Sequence, residues 1–177
     1  MREFTNPKII ISKCLLGAYC RYNGEIIYNL FVDQLNAKVE FIPICPELEL
    51  GLGVPRDPIR IISQHGKLAL IQPATNRDLT PVMQQFNTMF INAIKDVDGF
   101  ILKARSPSCG IKEVSIYPTI DAEIPIKQGA GFFGQAVLTK FSNLPIEDEE
   151  RFADLRIREQ FLMKLDLVTT FQEREKE

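Results

Sequence analysis

Residues 99–110 read GFILKARSPSCG, an apolar run followed at once by a polar turn that carries a cysteine. The run GFILK is short and continuous, which is typical of a buried strand. The segment KARSPSCG at the end of this run contains two cations, two serines, a proline, Cys109 and a glycine. Because proline and glycine bend the chain, a cysteine between them is exposed more readily than buried. The segment therefore predicts a strand that presents Cys109 at its carboxyl end.

Two further cysteines stand in the same position relative to a predicted strand. Cys14 lies two residues after KIIIS (residues 8–12), and Cys45 directly follows VEFIPI (residues 39–44). In open α/β sheets, ligands bind in the crevice outside the carboxyl ends of the strands. If the three strands are neighbours, the three sulfurs meet in one place, and we expect a site there.

Strands and helices alternate along the rest of the chain. We expect a hairpin formed by IRII and KLALIQ, and helices at residues 28–37, 78–94, 135–141 and 149–171. This alternation favours an α/β fold: a single domain with an open, mainly parallel sheet that is flanked by helices.

The two longest predicted helices each have an apolar face. In the helix that Asp78 caps, the residues expected to be buried recur at intervals of three and four; they are Val82, Phe86, Met89, Phe90 and Ala93. The corresponding face of the last helix contains Phe152, Leu155, Phe161, Leu162 and Leu165. Since such a face does not stay exposed, we expect it to dock on the domain or on a second copy in a homodimer.

The composition limits the classes of protein and site. The chain has 177 residues and a net charge of −2, which argues against a surface that is basic throughout. It has no apolar run long enough to cross a bilayer, and MREFTNPK lacks a secretory signal, so we expect a cytoplasmic protein with no membrane partner. Cytoplasmic thiols stay reduced, so the four cysteines are not expected to form disulfides.

Three kinds of cysteine site remain open on the residues alone. A closed structural zinc site needs four ligands, and the single histidine, His65, is the candidate that is not a cysteine. A [4Fe-4S] cluster on three cysteines leaves one iron open. One cysteine acting as a nucleophile without a metal is the third kind. Cys20 falls in a loop ahead of RYNG, and we interpret it as a structural thiol, with a fourth ligand as the alternative.

Five blocks of the chain resemble the DUF523 family, whose studied branch is the thiouracil desulfidases. They are SKCLLGAYCRYNG, ICPELELGLGVPRDPIR, DLTPVMQQF, DGFILKARSPSCG and KQGAGFF, and they extend from about residue 8 to residue 141. The resemblance implies an enzyme with a [4Fe-4S] cluster that replaces the sulfur of a thiolated uracil by oxygen. The family's three cluster cysteines carry over onto Cys14, Cys45 and Cys109.

The end of the chain carries a second resemblance. LPIEDEERFADLRIREQFLMK resembles the junction to a DUF1722 domain in longer relatives, some of which are similar to enzymes that remove sulfur from 4-thiouridine in tRNA. We therefore expect a desulfidase domain at residues 1–142 and a helical tail at residues 143–177. The substrates implied are a small thiolated pyrimidine, such as 2-thiouracil or thiouridine, or tRNA.

The implied reaction suggests roles for three residues near the cysteines. An iron with a free position is a Lewis acid that would bind the substrate sulfur, while a base activates water to replace it. Glu47, two residues after Cys45, is our candidate for the base; the alternative is that it caps its own turn. Ser106 and Ser108 are candidates to donate hydrogen bonds to the developing oxyanion, or else to their own backbone.

Cations and one aromatic residue complete the predicted site. Lys103 and Arg105 are candidates to balance the charge of the cluster or to hold an anionic substrate. We expect Arg21 and Tyr22 at the mouth of the site, where the tyrosine ring stacks on a pyrimidine or packs within the protein.

Two further motifs have competing interpretations. Arg56, in VPRDP, binds a carboxylate or phosphate of the substrate, or pairs with Asp57. The segment GAGFFG lacks the Lys-Ser/Thr of a phosphate-binding loop, so we interpret it as close packing at the start of a helix. For the whole protein, the alternative to a desulfidase is a module that binds zinc or a cluster without turnover.

Overall fold

A computed structural model describes residues 6–175, and residues 1–5 and 176–177 lie outside it. The strands, in chain order, are β1 (Lys8–Ser12), β2 (Glu40–Ile44), β3 (Arg60–Gln64), β4 (Lys67–Gln72), β5 (Arg77–Asp78), β6 (Gly99–Leu102), β7 (Val114–Tyr117), β8 (Lys127–Gly129) and β9 (Ile146–Asp148). The α-helices are α1 (Leu30–Leu35), α2 (Pro46–Glu49), α3 (Thr80–Ala93), α4 (Phe132–Lys140) and α5 (Leu155–Glu175).

The first sheet is parallel throughout, with the strand order β2-β1-β6-β9. Its central run, Ile9 to Ile11, is at most 1% exposed, as expected for a parallel strand that is covered on both faces. Ser12 at the end of β1 lies opposite Ile44 at the end of β2. The three strands that precede Cys14, Cys45 and Cys109 are therefore neighbours, with their carboxyl ends at one edge.

The second sheet is mixed, with the order β5-β4-β3-β7-β8. The predicted hairpin is its β3–β4 pair, which is antiparallel and turns at His65 and Gly66. Both turn residues have positive φ angles, 50° and 78°. The α/β class with a mainly parallel sheet is confirmed, and the extension of the predicted hairpin into a separate five-stranded mixed sheet is an addition that the sequence patterns did not indicate.

The buried face of α3 agrees only in part with the predicted one, because Phe86 and Phe90 pack against the core but other predicted members are exposed. The buried residues are Met83, Asn87 and Ile91, whereas Val82 is 43% exposed and Met89 67% exposed. Asn87 donates a hydrogen bond from its amide nitrogen to the Phe132 carbonyl at 3.0 Å. Asn87 is polar, so a search for apolar residues did not include it. The predicted face is therefore shifted by about one residue from the buried face.

The end of the chain folds onto the first sheet. Helix α5 begins at Leu155 rather than near residue 149, since the preceding residues form β9 and a short 3₁₀ turn. Phe152 is buried, with its ring 4.6 Å from that of Phe31 and 5.2 Å from that of Phe161. Leu155, which was expected on this face, is 66% exposed. Within the described residues, none of the helices is both long and apolar enough to span a membrane.

Candidate functional site

A cavity of about 490 Å³ lies at the carboxyl edge of the first sheet. All four cysteines line it. The other predicted site residues that line it are Arg21, Tyr22, Glu47, Arg56, Lys103, Arg105 and Ser106. The convergence predicted from the strand ends is therefore present, and it includes Cys20, which the sequence analysis interpreted as a structural thiol.

The four thiols are free and largely shielded from water. The neighbouring Cys14 thiol is the main reason that the pKa of Cys20 is raised to about 11. The Cys45 thiol donates to the Cys20 carbonyl at 3.9 Å. The Cys20 thiol raises the pKa of Cys45, and burial raises that of Cys109. Without a metal these three groups are neutral thiols at pH 7, and a metal that binds them displaces their protons.

The spacing of the ligand groups bears on the kind of metal centre. Within residues 6–175, no group of three or more His, Cys, Asp or Glu side chains is close enough to hold one metal ion. His65 is exposed at the β3–β4 turn and does not line the cavity. Iron–sulfur clusters are larger than one ion and are held by cysteine thiolates. Cysteine side chains, the ligands that such clusters use, line this cavity.

Glu47 is held from both sides on the cavity wall. It lies in the first turn of α2, two residues after Cys45, which is the N-cap residue of that helix. The Ser108 hydroxyl donates to Glu47 Oε1 at 3.0 Å. Arg56 Nε and Nη2 both reach Glu47 Oε2, at 2.8 and 2.7 Å. Arg56 thus pairs with Glu47 and not with Asp57, which was the alternative to a substrate anion in the sequence analysis.

The turn that carries Cys109 is braced by the start of α4. Ser106 Oγ accepts hydrogen bonds from the backbone N–H groups of Ser108 and Cys109, at 3.2 and 3.0 Å. The N–H groups of Phe132 and Phe133 donate to the carbonyls of Pro107 and Ser108, at 3.0 and 2.8 Å. These amides are therefore engaged with the turn, which agrees with the interpretation of GAGFFG as close packing.

The glycines of that segment are required by the close approach. A Cβ atom at Gly131 would lie 2.6 Å from the Ser108 carbonyl oxygen, and one at Gly134 would lie 2.2 Å from that of Gly110. Real Cβ atoms do not come so close to a carbonyl oxygen, so any side chain at either position would push α4 away from the cysteine turn.

Two acidic residues that the sequence analysis did not assign to the site also line the cavity. Glu149 pairs with Lys103, and its Oε2 accepts a hydrogen bond from the Ala104 N–H at 2.7 Å. Glu150 pairs with Arg105, whose side chain is 64% exposed. The run EDEE that contains both was visible in the sequence, but only the pairing of β9 with β6 places it beside Lys103.

Three other side chains stand in distinct parts of the site. Ser12 accepts a hydrogen bond from the Lys103 N–H at 2.8 Å and also contacts the Cys109 thiol. Tyr22 is 41% exposed at the mouth, with the Arg21 guanidinium 5.9 Å from the centre of its ring. Ser108 is fully buried and reaches the site through Glu47.

The family model for 2-thiouracil desulfurase matches residues 9–149 of this chain. The chain belongs to this family. The matched span covers the four cysteines, Glu47 and Glu149. The resemblance to DUF523 is thereby confirmed, while the junction to a DUF1722 domain is not shown.

Two relatives of this desulfurase family are informative. Uncharacterized protein YbbK of Bacillus subtilis (strain 168) is 33% identical over 109 residues, which cover 58% of this chain and 72% of that protein. The solved structure of the [4Fe-4S]-dependent thiouracil desulfidase TudS matches with a TM-score of 0.59 and 26% identity, over 88% of this chain and 99% of that one. The family and the structural likeness together support a desulfidase enzyme.

Proposed function

We propose that the protein is a [4Fe-4S]-dependent desulfidase of a thiolated pyrimidine, with Cys14, Cys45 and Cys109 as the cluster ligands. The observation that carries the proposal is the meeting of these three thiols with Glu47 on one cavity at the ends of adjacent parallel strands. The likeness to TudS, a [4Fe-4S]-dependent thiouracil desulfidase, supports it.

The residues present fit such a cluster. Each of the three cysteines follows a different strand, so the sheet sets their separation, and thiolates are the usual ligands of iron–sulfur clusters. When bound, the cluster would supply a Lewis-acidic iron that accepts the substrate sulfur. Cys20, which contacts the thiols of Cys14 and Cys45, is a neighbouring thiol outside the proposed ligand set.

Glu47 is the proposed general base. Its carboxylate takes a proton from the water molecule that attacks the thiocarbonyl carbon, the carbon–sulfur bond breaks, and sulfur departs as sulfide. The thiocarbonyl compound and water thus become the carbonyl compound and hydrogen sulfide, with no net change in oxidation state. A carboxylate has about four acceptor positions, so the bonds from Ser108 and Arg56 leave room for one to this water.

The remaining side chains are proposed to bind the substrate and balance charge. Lys103, beside the Cys109 turn, would offset the negative charge of the cluster. Arg105 and Arg21 line the cavity near solvent, where they would meet an anionic substituent of the substrate. The ring of Tyr22 would stack on a pyrimidine. A volume of about 490 Å³ suits a small ligand, for which cavities of roughly 300–1,000 Å³ are usual.

Anaerobic reconstitution tests the proposal directly. The wild-type chain should bind iron and inorganic sulfide in equal amounts and convert 2-thiouracil to uracil with release of sulfide. Cys109→Ser should bind less iron and lose turnover, whereas Cys20→Ser, at a cysteine outside the ligand set, should keep its iron. A wild-type protein with iron and sulfide but no turnover of any thiopyrimidine would refute the proposed function. Zinc without sulfide would refute the cluster.

A further inference from the structure

Arg56 is the most completely engaged side chain on the cavity wall. Only 4% of it is exposed. Besides its two contacts with Glu47, it donates from Nη1 to the Gly53 carbonyl at 2.7 Å and from Nη2 to the Cys20 carbonyl at 3.0 Å. Its own backbone N–H donates to the Tyr22 carbonyl at 2.9 Å. All three guanidinium nitrogens therefore have protein partners.

This engagement leaves Arg56 poorly suited to hold a substrate. A substrate anion would have to displace a carboxylate or a carbonyl from a desolvated guanidinium, which would leave that group buried without a partner. Arg105 lines the same cavity with a side chain that is 64% exposed. An anionic substituent has a far more accessible partner there.

We infer that Arg56 is a positioning residue that fixes the orientation of the Glu47 carboxylate and does not bind the substrate. The inference rests on the proposed function, in which Glu47 is the base. Arg56 holds one carboxylate oxygen with two donors while Ser108 holds the other. Rotation of the carboxylate would break both sets of bonds, so its one remaining acceptor position stays directed at one place.

The planar fork of arginine is essential to this role. A lysine would keep the positive charge but offer a single donor centre on a flexible stem. It could not reach Glu47, the Gly53 carbonyl and the Cys20 carbonyl in the same geometry. The same fork also links the segment of Cys20 and Tyr22 to the base, so this part of the cavity wall and the carboxylate are held as one unit.

Comparison of Arg56→Lys with Arg60→Lys tests the inference on the reconstituted protein. Arg60 is the matched control because it also donates to two backbone carbonyls, those of Ile120 and Ala122 at 2.8 Å, and does not line the cysteine cavity. We expect Arg56→Lys to lower kcat by about 10- to 100-fold, the usual cost of losing a residue that orients a ligand or base. KM, the affinity for 2-thiouracil and the iron content should stay within about twofold of wild type. Arg60→Lys should leave kcat per cluster unchanged.

A double variant adds a test that a purely structural role would not pass. If Arg56 acts through Glu47, Arg56→Lys should lower kcat no further once Glu47→Gln is present, because coupled residues are not additive. A raised KM with unchanged kcat in Arg56→Lys would overturn the inference and make Arg56 a substrate ligand. Equal losses of kcat in Arg56→Lys and Arg60→Lys would also overturn it. Neither result would affect the proposed function, whereas absence of turnover in wild type would refute that function and the role of Arg56 with it.

Discussion

Glu47 owes its position to three separate parts of the chain. Cys45 sets the start of α2, so Glu47 follows a proposed ligand by half a helical turn. Ser108 approaches from the turn of Cys109, and Arg56 from the loop before β3. The Glu47 carboxylate is only 14% exposed and is bound on both oxygens, so it is not a solvated surface charge. Its surroundings suit a group that must accept a proton in one fixed direction.

The substitution Glu47→Gln should therefore separate catalysis from cluster binding. We expect kcat for 2-thiouracil to fall by about 100-fold or more, because an amide cannot take the proton and a positioned base contributes at least that much. Iron and sulfide contents should match wild type, as measured after anaerobic reconstitution. Glu49→Gln is the control, since Glu49 lies on the same helix but is exposed. Loss of iron in Glu47→Gln would make this residue structural, and retained turnover would exclude it as the base.

Among the elements, the parallel strands were the most predictable. Strands β1 and β6 are buried on both faces, whereas the edge strand β2 is mostly half-buried or exposed. All three still appear in the sequence as short runs rich in apolar residues, and the cysteines that follow them are visible directly. Strands β7 and β8 have only four and three residues, which is too short for a periodic pattern to be seen. For that reason the β3–β4 hairpin of the second sheet was predicted, whereas β7 and β8 were not.

Within the site, contacts between residues close in the sequence could be predicted, whereas contacts between distant residues could not. Glu47 could be found because it stands beside Cys45 in the chain. Ser12 and Glu149 contact Lys103 and Ala104 across separations of 91 and 45 residues. Such contacts depend on which strands are neighbours, and one sequence without its fold does not contain that information.

The junction between α4 and the Cys109 turn gives a prediction for these elements. Gly134→Ala would bring a Cβ atom into the Gly110 and Cys109 carbonyls, so the helix or the turn must move. We expect the free energy of unfolding to fall by about 1–3 kcal/mol, as for other overpacked sites, and the iron content after reconstitution to fall below that of wild type. Gln135→Ala, at an exposed position on the same helix, should change neither quantity. Equal iron contents in the two variants would show that α4 does not position Cys109.

In the whole molecule, residues 143–175 are integrated with the rest of the fold. Strand β9 adds a fourth parallel strand to the first sheet, and Glu149 and Glu150 follow it into the cavity wall. Helix α5 then covers one face of the same sheet, where Phe161 and Leu165 join Ile9 and Ile11 in one apolar cluster. The segment that looked like a tail in the sequence thus supplies a sheet strand, part of the core and two charges of the site.

Two leucines on α5 test this integration, because they differ in burial but not in chemistry. Leu165 is 2% exposed and packs in the core, whereas Leu167 is 57% exposed. We expect Leu165→Ala to lower the free energy of unfolding by about 2–5 kcal/mol through lost burial and a residual cavity. Leu167→Ala should change it by no more than about 0.5 kcal/mol. Chemical denaturation of the two variants beside wild type measures both values.

Since α5 and β9 cover and extend the sheet that holds the cysteines, Leu165→Ala should also lower the denaturant concentration at which a bound cluster is lost. Equal and small effects of the two substitutions would mean that α5 does not contribute to the core, and that the cysteine edge is stable without it.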